Sequence, residues 1–509
     1  MTANGGTPTL MIGLDAGEIS LVESWMADGS LPTLASLRNR GAYGPLASTA
    51  EWLVGSPWPT FYAGIPPEEH GLCHYLLWRA DQMNMERVDP SWLPVEPFWH
   101  GLARSGRRAV VINVPVKYAP TAFDGIEIGG WAAHESLMPP AAHPPEVMNW
   151  LHESFPEPPP DHEENRLLEA SEPDQIRDRC NHSTKLLLDM ATQLMQRESW
   201  DLFLVCLSAT HRAGHALWDA SSLADAGPED NAAMQNRLRE VYVACDAAIG
   251  RLIEQAGPQV HTLVFSVHGM GVNTSRNEIL PQMLDRVLSG DATTATPVRR
   301  LAESVRSLVP DDLRSRLKSK LPSALQDRLT RFWRTGGVDW SKTRAFVPFC
   351  DNEGYVRINL RGREAAGAVE PGEPYEQLCA EITEGLLSFT DDDTGERVVE
   401  QVGRSAELFD AGACHDRLPD LVIRWSPRPA AKHRQISSPR HGAIAWPNPG
   451  RVASCRAGNH WPTGFLFGAG GDIPAGSSIE KAHILDLAPT VHALLNLPVP
   501  TQMRGRPLF

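Results

Sequence analysis

The run Leu202-Phe-Leu-Val-Cys-Leu207 constrains the fold of this chain more than any other stretch. It is apolar throughout, with aromatic and β-branched members, and polar residues follow it at once. That pattern reads as a parallel strand buried on both faces. Comparable runs lie at Thr9–Leu14, within Arg107–Pro115 and at His261–Val267. Helical patterns separate them, at Ile19–Ala27, 165–198 and Asn231–Ala256. Strands alternating with helices predict an α/β fold, a mostly parallel sheet covered on both faces.

The polar residues that end these runs are the candidates for chemistry. After Leu207 come His211 and His215, four positions apart. On a helix they share one face, about one turn apart, and can grip one metal ion. The plainer alternative has one ring capping the helix and the other packing beside Trp218. Asp15 ends the first run, where a carboxylate is costly unless paired or bound to metal; its alternative is to cap the helix at Ile19–Ala27. His268 follows the fourth run, and His460 sits in a Gly-rich loop. Ligands of open α/β sheets bind beyond the carboxyl ends of the strands, and Asp15, His211, His215 and His268 share that placement. Ser56 precedes Pro57 at an expected helix start, a natural anion site. It is a candidate nucleophile or the helix cap.

Length and charge bound the rest. At 509 residues the chain holds one large α/β core with insertions, or two domains. A net charge of −15 argues against a general surface for polymeric nucleic acid or anionic membrane, though not against a small anionic substrate. No run is long enough to span a bilayer, and the first strand is too short for a signal-peptide core. Eight scattered cysteines without a CxxC pattern fit a reduced, cytoplasmic chain with buried thiols. The expected division is a first core part at 1–290, a basic helical insert at 291–345 and a second core part at 346–509. Within the insert, Val298–Arg334 reads as a solvated lid or oligomer contact, with lipid or partner binding as the alternative. Gly41–Pro45 is expected as a turn, Pro66–Gly71 as a loop, and 119–164 as irregular cover.

The chain resembles the type I phosphodiesterase/nucleotide pyrophosphatase branch of the alkaline phosphatase superfamily. Ile12-Gly-Leu-Asp-Ala16, Phe61-Tyr-Ala-Gly64 with Glu69-His-Gly71, Asn113-Val-Pro115 and Ser266-Val-His-Gly269 carry the likeness. So do Arg357–Glu364, Gly458-Asn-His460 and Asp486–Thr490. The resemblance implies an alkaline-phosphatase-like mixed sheet with an inserted cap, and two zinc sites. Asp15 falls on the first-strand aspartate, His215 and His460 on two histidine ligands, and His268 on the histidine of Ser-Asp-His-Gly. The departures are specific. His211 stands where the family has aspartate, Val267 replaces the other aspartate, and Val54 occupies the nucleophile position. Valine neither binds metal nor attacks phosphorus. The second site keeps only Asp15 and His268, whereas the first becomes His211, His215 and His460, a three-imidazole set suited to catalytic zinc. One zinc is therefore expected rather than two; iron, cobalt, nickel or copper also suit nitrogen ligands.

Three functions follow from these residues. One is a metal-dependent hydrolase of a phosphodiester or related ester of a small anionic molecule, with Ser56 as displaced nucleophile or oxyanion donor, or water attacking directly. Another is a single-metal lyase or transferase of a biosynthetic pathway. The third is a non-catalytic relative. A homo-oligomer is open in each case.

Overall fold

The computed structural model describes residues 6–117, 121–133, 139–156, 158, 166–288, 338–447, 449–451, 454–471 and 473–509. The basic stretch 298–334 lies outside the described residues.

Five strands make the centre. β1 (Thr9–Leu14) is followed by α1 (Ile19–Ala27), α2 (Pro32–Arg40), β2 (Ala42–Ala47), α3 (Pro57–Ala63) and α4 (Pro67–His70). Next come β3 (Ala109–Ile112), β4 (Gly125–Gly129), β5 (Ala141–His143) and α5 (Glu172–Arg197). The chain continues through β6 (Leu202–Leu207), α6 (Ala209–Leu217), α7 (Asp230–Ala256), β7 (His261–Ser266) and β8 (Gly269–Val272). β7, β1, β6, β3 and β4 pair in parallel, in that order.

The expected buried parallel strands are present, and each serves both faces. Leu10, Ile12, Leu14, Phe203, Val205 and Leu207 enter one core with α1, α5 and α7. Met11, Leu202, Leu204 and Cys206 enter the other with α3. The two-residue period of a strand puts alternate side chains on opposite faces. Burial of each such side chain contributes about 1.5–3 kcal/mol.

A smaller antiparallel sheet follows, in the order β9 (Ala345–Phe346), β10 (Gly354–Ile358), β12 (Leu421–Trp425), β11 (Val399–Arg404). The chain then returns. β13 (Gly458–Trp461) pairs with β8, and β14 (Gly464–Ala469) inserts antiparallel between β7 and β2. α8 (Leu487–Leu494) packs on the α3 side of the main sheet.

Several local expectations need correction. Gly41–Pro45 is no turn, because most of it lies in β2, paired with β14; Pro45 falls opposite the gap between the two short pairings on the other edge of β2, at 42–43 and at 46–47. Pro66–Gly71 contains the short α4, closed by left-handed Gly71 at φ 70°. Within 119–164, β4 and β5 extend the main sheet. His460 sits on a paired strand rather than in a loop. Among the described residues, no helix is long and apolar enough to cross a membrane.

Candidate metal centre

Register brings the site together. Leu14 of β1 stands level with Leu207 of β6, and Gly13 with Phe265 of β7. Asp15, the start of α6 and His268 therefore emerge at one rim. The Asp15 N–H donates to Leu207 O at 3.0 Å, and the backbone turns sharply after it, with Ala16 at φ 53°. Asp15 does not cap α1; Glu18 does, accepting from the Ser20 N–H. β8 carries β13 alongside, Met270 opposite His460, and this delivers His460 to the same rim.

His211 Nε2 lies 2.9 Å from His215 Nε2 and 2.9 Å from His460 Nε2. Tetrahedral zinc with Zn–N bonds near 2.05 Å needs ligand nitrogens about 3.3 Å apart, so the rings fit after an opening of a few tenths of an ångström. Among the described residues these three form the group able to hold an ion. The outer nitrogens are held as well. His211 Nδ1 lies 2.7 Å from Asp15 Oδ2, and His215 Nδ1 donates to Gly458 O at 2.9 Å. Such carboxylate and carbonyl partners orient metal-binding imidazoles. His460 Nδ1 is buried without a hydrogen-bond partner among the described residues.

Both Asp15 oxygens have partners. One oxygen meets His211, while the other accepts from Trp58 Nε1 at 2.9 Å and stands 3.7 Å from His268 Nε2. Its geometry is that of an orienting carboxylate. His268 flanks the three rings, its centroid 4.7 Å from that of His460. Ser56 is fully buried, with Oγ 2.6 Å from both Leu53 O and Thr49 Oγ1. The hydroxyl braces the turn into α3 and does not cap it. Val54 and Val267 are buried too.

Burial dominates the electrostatics. It holds His215 at about 3, with His211 adding to the effect, and His268 at about 4. It places His460 well below the usual imidazole range, helped by the neighbouring rings. Neutral imidazoles are the form that binds metal. Burial by itself would raise the Asp15 carboxyl, but His211, His268 and Trp58 bring it below its ordinary value.

Two contributors have no clear mark in the sequence. Trp58 reaches Asp15 because Gly13 leaves room; a Cβ there would come 3.1 Å from the indole. The Gly458 carbonyl reaches His215 because β13 runs close to α6, and a Cβ on Gly458 would stand 2.2 Å from Gly214 O.

The fold is that of an alkaline-phosphatase-like α/β protein. A profile of the type I phosphodiesterase / nucleotide pyrophosphatase family matches residues 9–435, and the chain belongs to that family. Its fold is similar to that of phosphonoacetate hydrolase from Sinorhizobium meliloti 1021 in complex with phosphonoformate. That match has 13% identity and a TM-score of 0.52, covering 96% of this chain and 95% of the other. The complex of the same hydrolase with phosphonoacetate gives 13%, 0.51, 96% and 95%. Human ectonucleotide pyrophosphatase / phosphodiesterase 5 matches at 11% identity and a TM-score of 0.48, covering 98% and 97%. No curated protein matches. At these identities the likeness bears on the fold alone.

Proposed function

We propose that this chain is a metal-dependent hydrolase of a phosphodiester or related ester of a small anionic molecule. His211, His215 and His460 would hold a single transition-metal ion, zinc by preference. One observation carries the reading. Gly458 O can only accept, so His215 Nδ1 bears a proton; Asp15, held ionised, claims the His211 Nδ1 proton. Both Nε2 atoms then turn their lone pairs toward one another 2.9 Å apart. That arrangement is repulsive unless a cation lies between them, and burial disfavours a proton on the His215 ring.

Bound there, a divalent ion supplies a Lewis acid beside the ester and acidifies water at the site. The chain's own residues do the positioning. Asp15 and Gly458 aim two rings, Trp58 steadies Asp15, and His268 offers a neutral imidazole to a substrate oxygen. With Val54 at the family's nucleophile position and Ser56 turned inward, water is the attacking group. The free cysteines, seven of them buried, support a reducing compartment such as the cytoplasm.

Elemental analysis of purified variants tests the ligand set. His211→Ala, His215→Ala and His460→Ala should each lose the ion, whereas His268→Ala should retain it. Equal loss in all four would mean that His268 is a ligand. A wild-type protein that holds metal yet turns over no phosphodiester or phosphonate would favour the lyase or transferase reading, for which the two valines speak.

A further inference from the structure

Glu353, on the approach to β10, is almost fully buried, and its Oε2 has no hydrogen-bond partner among the described residues. An uncompensated buried carboxyl is costly and calls for an explanation. Its surroundings supply one. The backbone N–H of Val54, at the position where relatives carry their nucleophile, faces the carboxyl. Asn352 Nδ2 stands 3.3 Å from Glu353 Oε1 and 2.9 Å from His460 O. The group thus lies beside the vacated nucleophile position on one side and, through Asn352, beside the strand that carries His460 on the other.

We propose that Glu353 is the acid–base residue of the hydrolysis, its unpartnered Oε2 meeting the leaving oxygen of the bound ester. This rests on the hydrolase reading above. As water oxygen bonds to phosphorus, the bond from phosphorus to the leaving oxygen breaks, and that oxygen takes the proton from Oε2. The Glu353 carboxylate then recovers a proton from the water that attacked, so the acid is regenerated and one water is consumed. Burial lifts this carboxyl to about 8, and Asp351 adds to the rise against the opposing N–H contacts. The acid form therefore persists at neutral pH. A purely structural tie would need only an acceptor for the Val54 N–H, which glutamine also provides.

The test uses the zinc-loaded full chain with an alkyl phosphodiester and a p-nitrophenyl phosphodiester. Nitrophenolate leaves without a proton; an alkoxide does not. Glu353→Gln should lower kcat on the alkyl ester about 10²–10⁴-fold, with a loss at least tenfold smaller on the p-nitrophenyl ester. Metal content and thermal midpoint should stay unchanged. In wild type, the alkyl rate should fall above about pH 8, a limb missing from the p-nitrophenyl profile; this measurement decides the matter if the variant does not fold. Equal losses on both esters, or an unaffected alkyl rate, overturn the assignment and leave the hydrolase reading standing. Failure of the wild type on every ester overturns both.

Discussion

At the scale of single residues, the site turns on which nitrogen of each imidazole is already committed. On the proposed single-metal reading, Asp15 orients His211 and is not a fourth ligand, because both of its oxygens have partners in place. Asp15→Asn should weaken zinc about 10–100-fold, the usual cost of losing an outer partner, when measured by competition with a chromophoric chelator. Complete loss of binding would instead make Asp15 a ligand. The same residues set the acid limit of the metal-free protein. His215 and His268 titrate at about 3 and 4 when folded and near 6.5 when unfolded. The unfolded chain therefore binds more protons between those values. The stability these rings contribute is complete above about pH 6.5 and is lost as pH falls toward 4. Thermal midpoints of the chelated protein should drop over that window; a flat profile would mean that the rings are solvated.

At the scale of elements, the close approach of β13 to α6 decides whether three rings meet or only two. Gly458 permits it, since an added Cβ would press on the backbone oxygen of Gly214, which cannot rotate aside. Gly458→Ala should cost about 1–3 kcal/mol by overpacking. It should also weaken metal binding, because the strand bearing His460 is pushed from the helix bearing His211 and His215. Denaturant melts read the first effect and metal titration the second; stability lost with unchanged affinity would uncouple strand and centre. Capping is handled across elements too. α2 begins without a side-chain cap of its own, and Asp246 of α7 supplies one by accepting from the Thr33 and Leu34 N–H groups at 3.0 and 2.9 Å.

At the scale of the whole molecule, the stretch after β8 is fastened to the segment that follows the smaller sheet's β12 at Arg276, which is fully buried. Its guanidinium donates to Thr274 O, Ser426 O, Ser426 Oγ and Arg428 O, and Nε donates to His433 Nε2 at 2.8 Å. His433 therefore keeps its proton on Nδ1, toward Asp391. Arg276→Met should destabilise the fold, each buried acceptor left unpaired costing about 1–3 kcal/mol. The chain should then be cut by protease near 426–433 sooner than wild type. Since Glu353 and Asn352 reach the rim from the smaller sheet, metal affinity should fall less than turnover. Equal protease resistance would show that Arg276 is not the fastening.

The sequence by itself determined the buried strands, since runs such as Leu202–Leu207 have no stable place except between two covering layers. It also singled out His211, His215, His268 and Asp15, because polar residues at the ends of such runs must emerge at one rim, and His460 through the Gly458-Asn-His460 motif of the family resemblance. It could not decide what each does. Trp58, the Gly458 carbonyl and Glu353 act through contacts over tens to hundreds of residues, and a backbone oxygen or an indole carries no signature of its eventual partner. β2 read as a turn because Gly44 and Pro45 disfavour strands locally; pairing with β14 outweighed that. Tertiary structure alone set the partners of Asp15 and Ser56, since which neighbours meet a side chain's polar atoms is decided by packing.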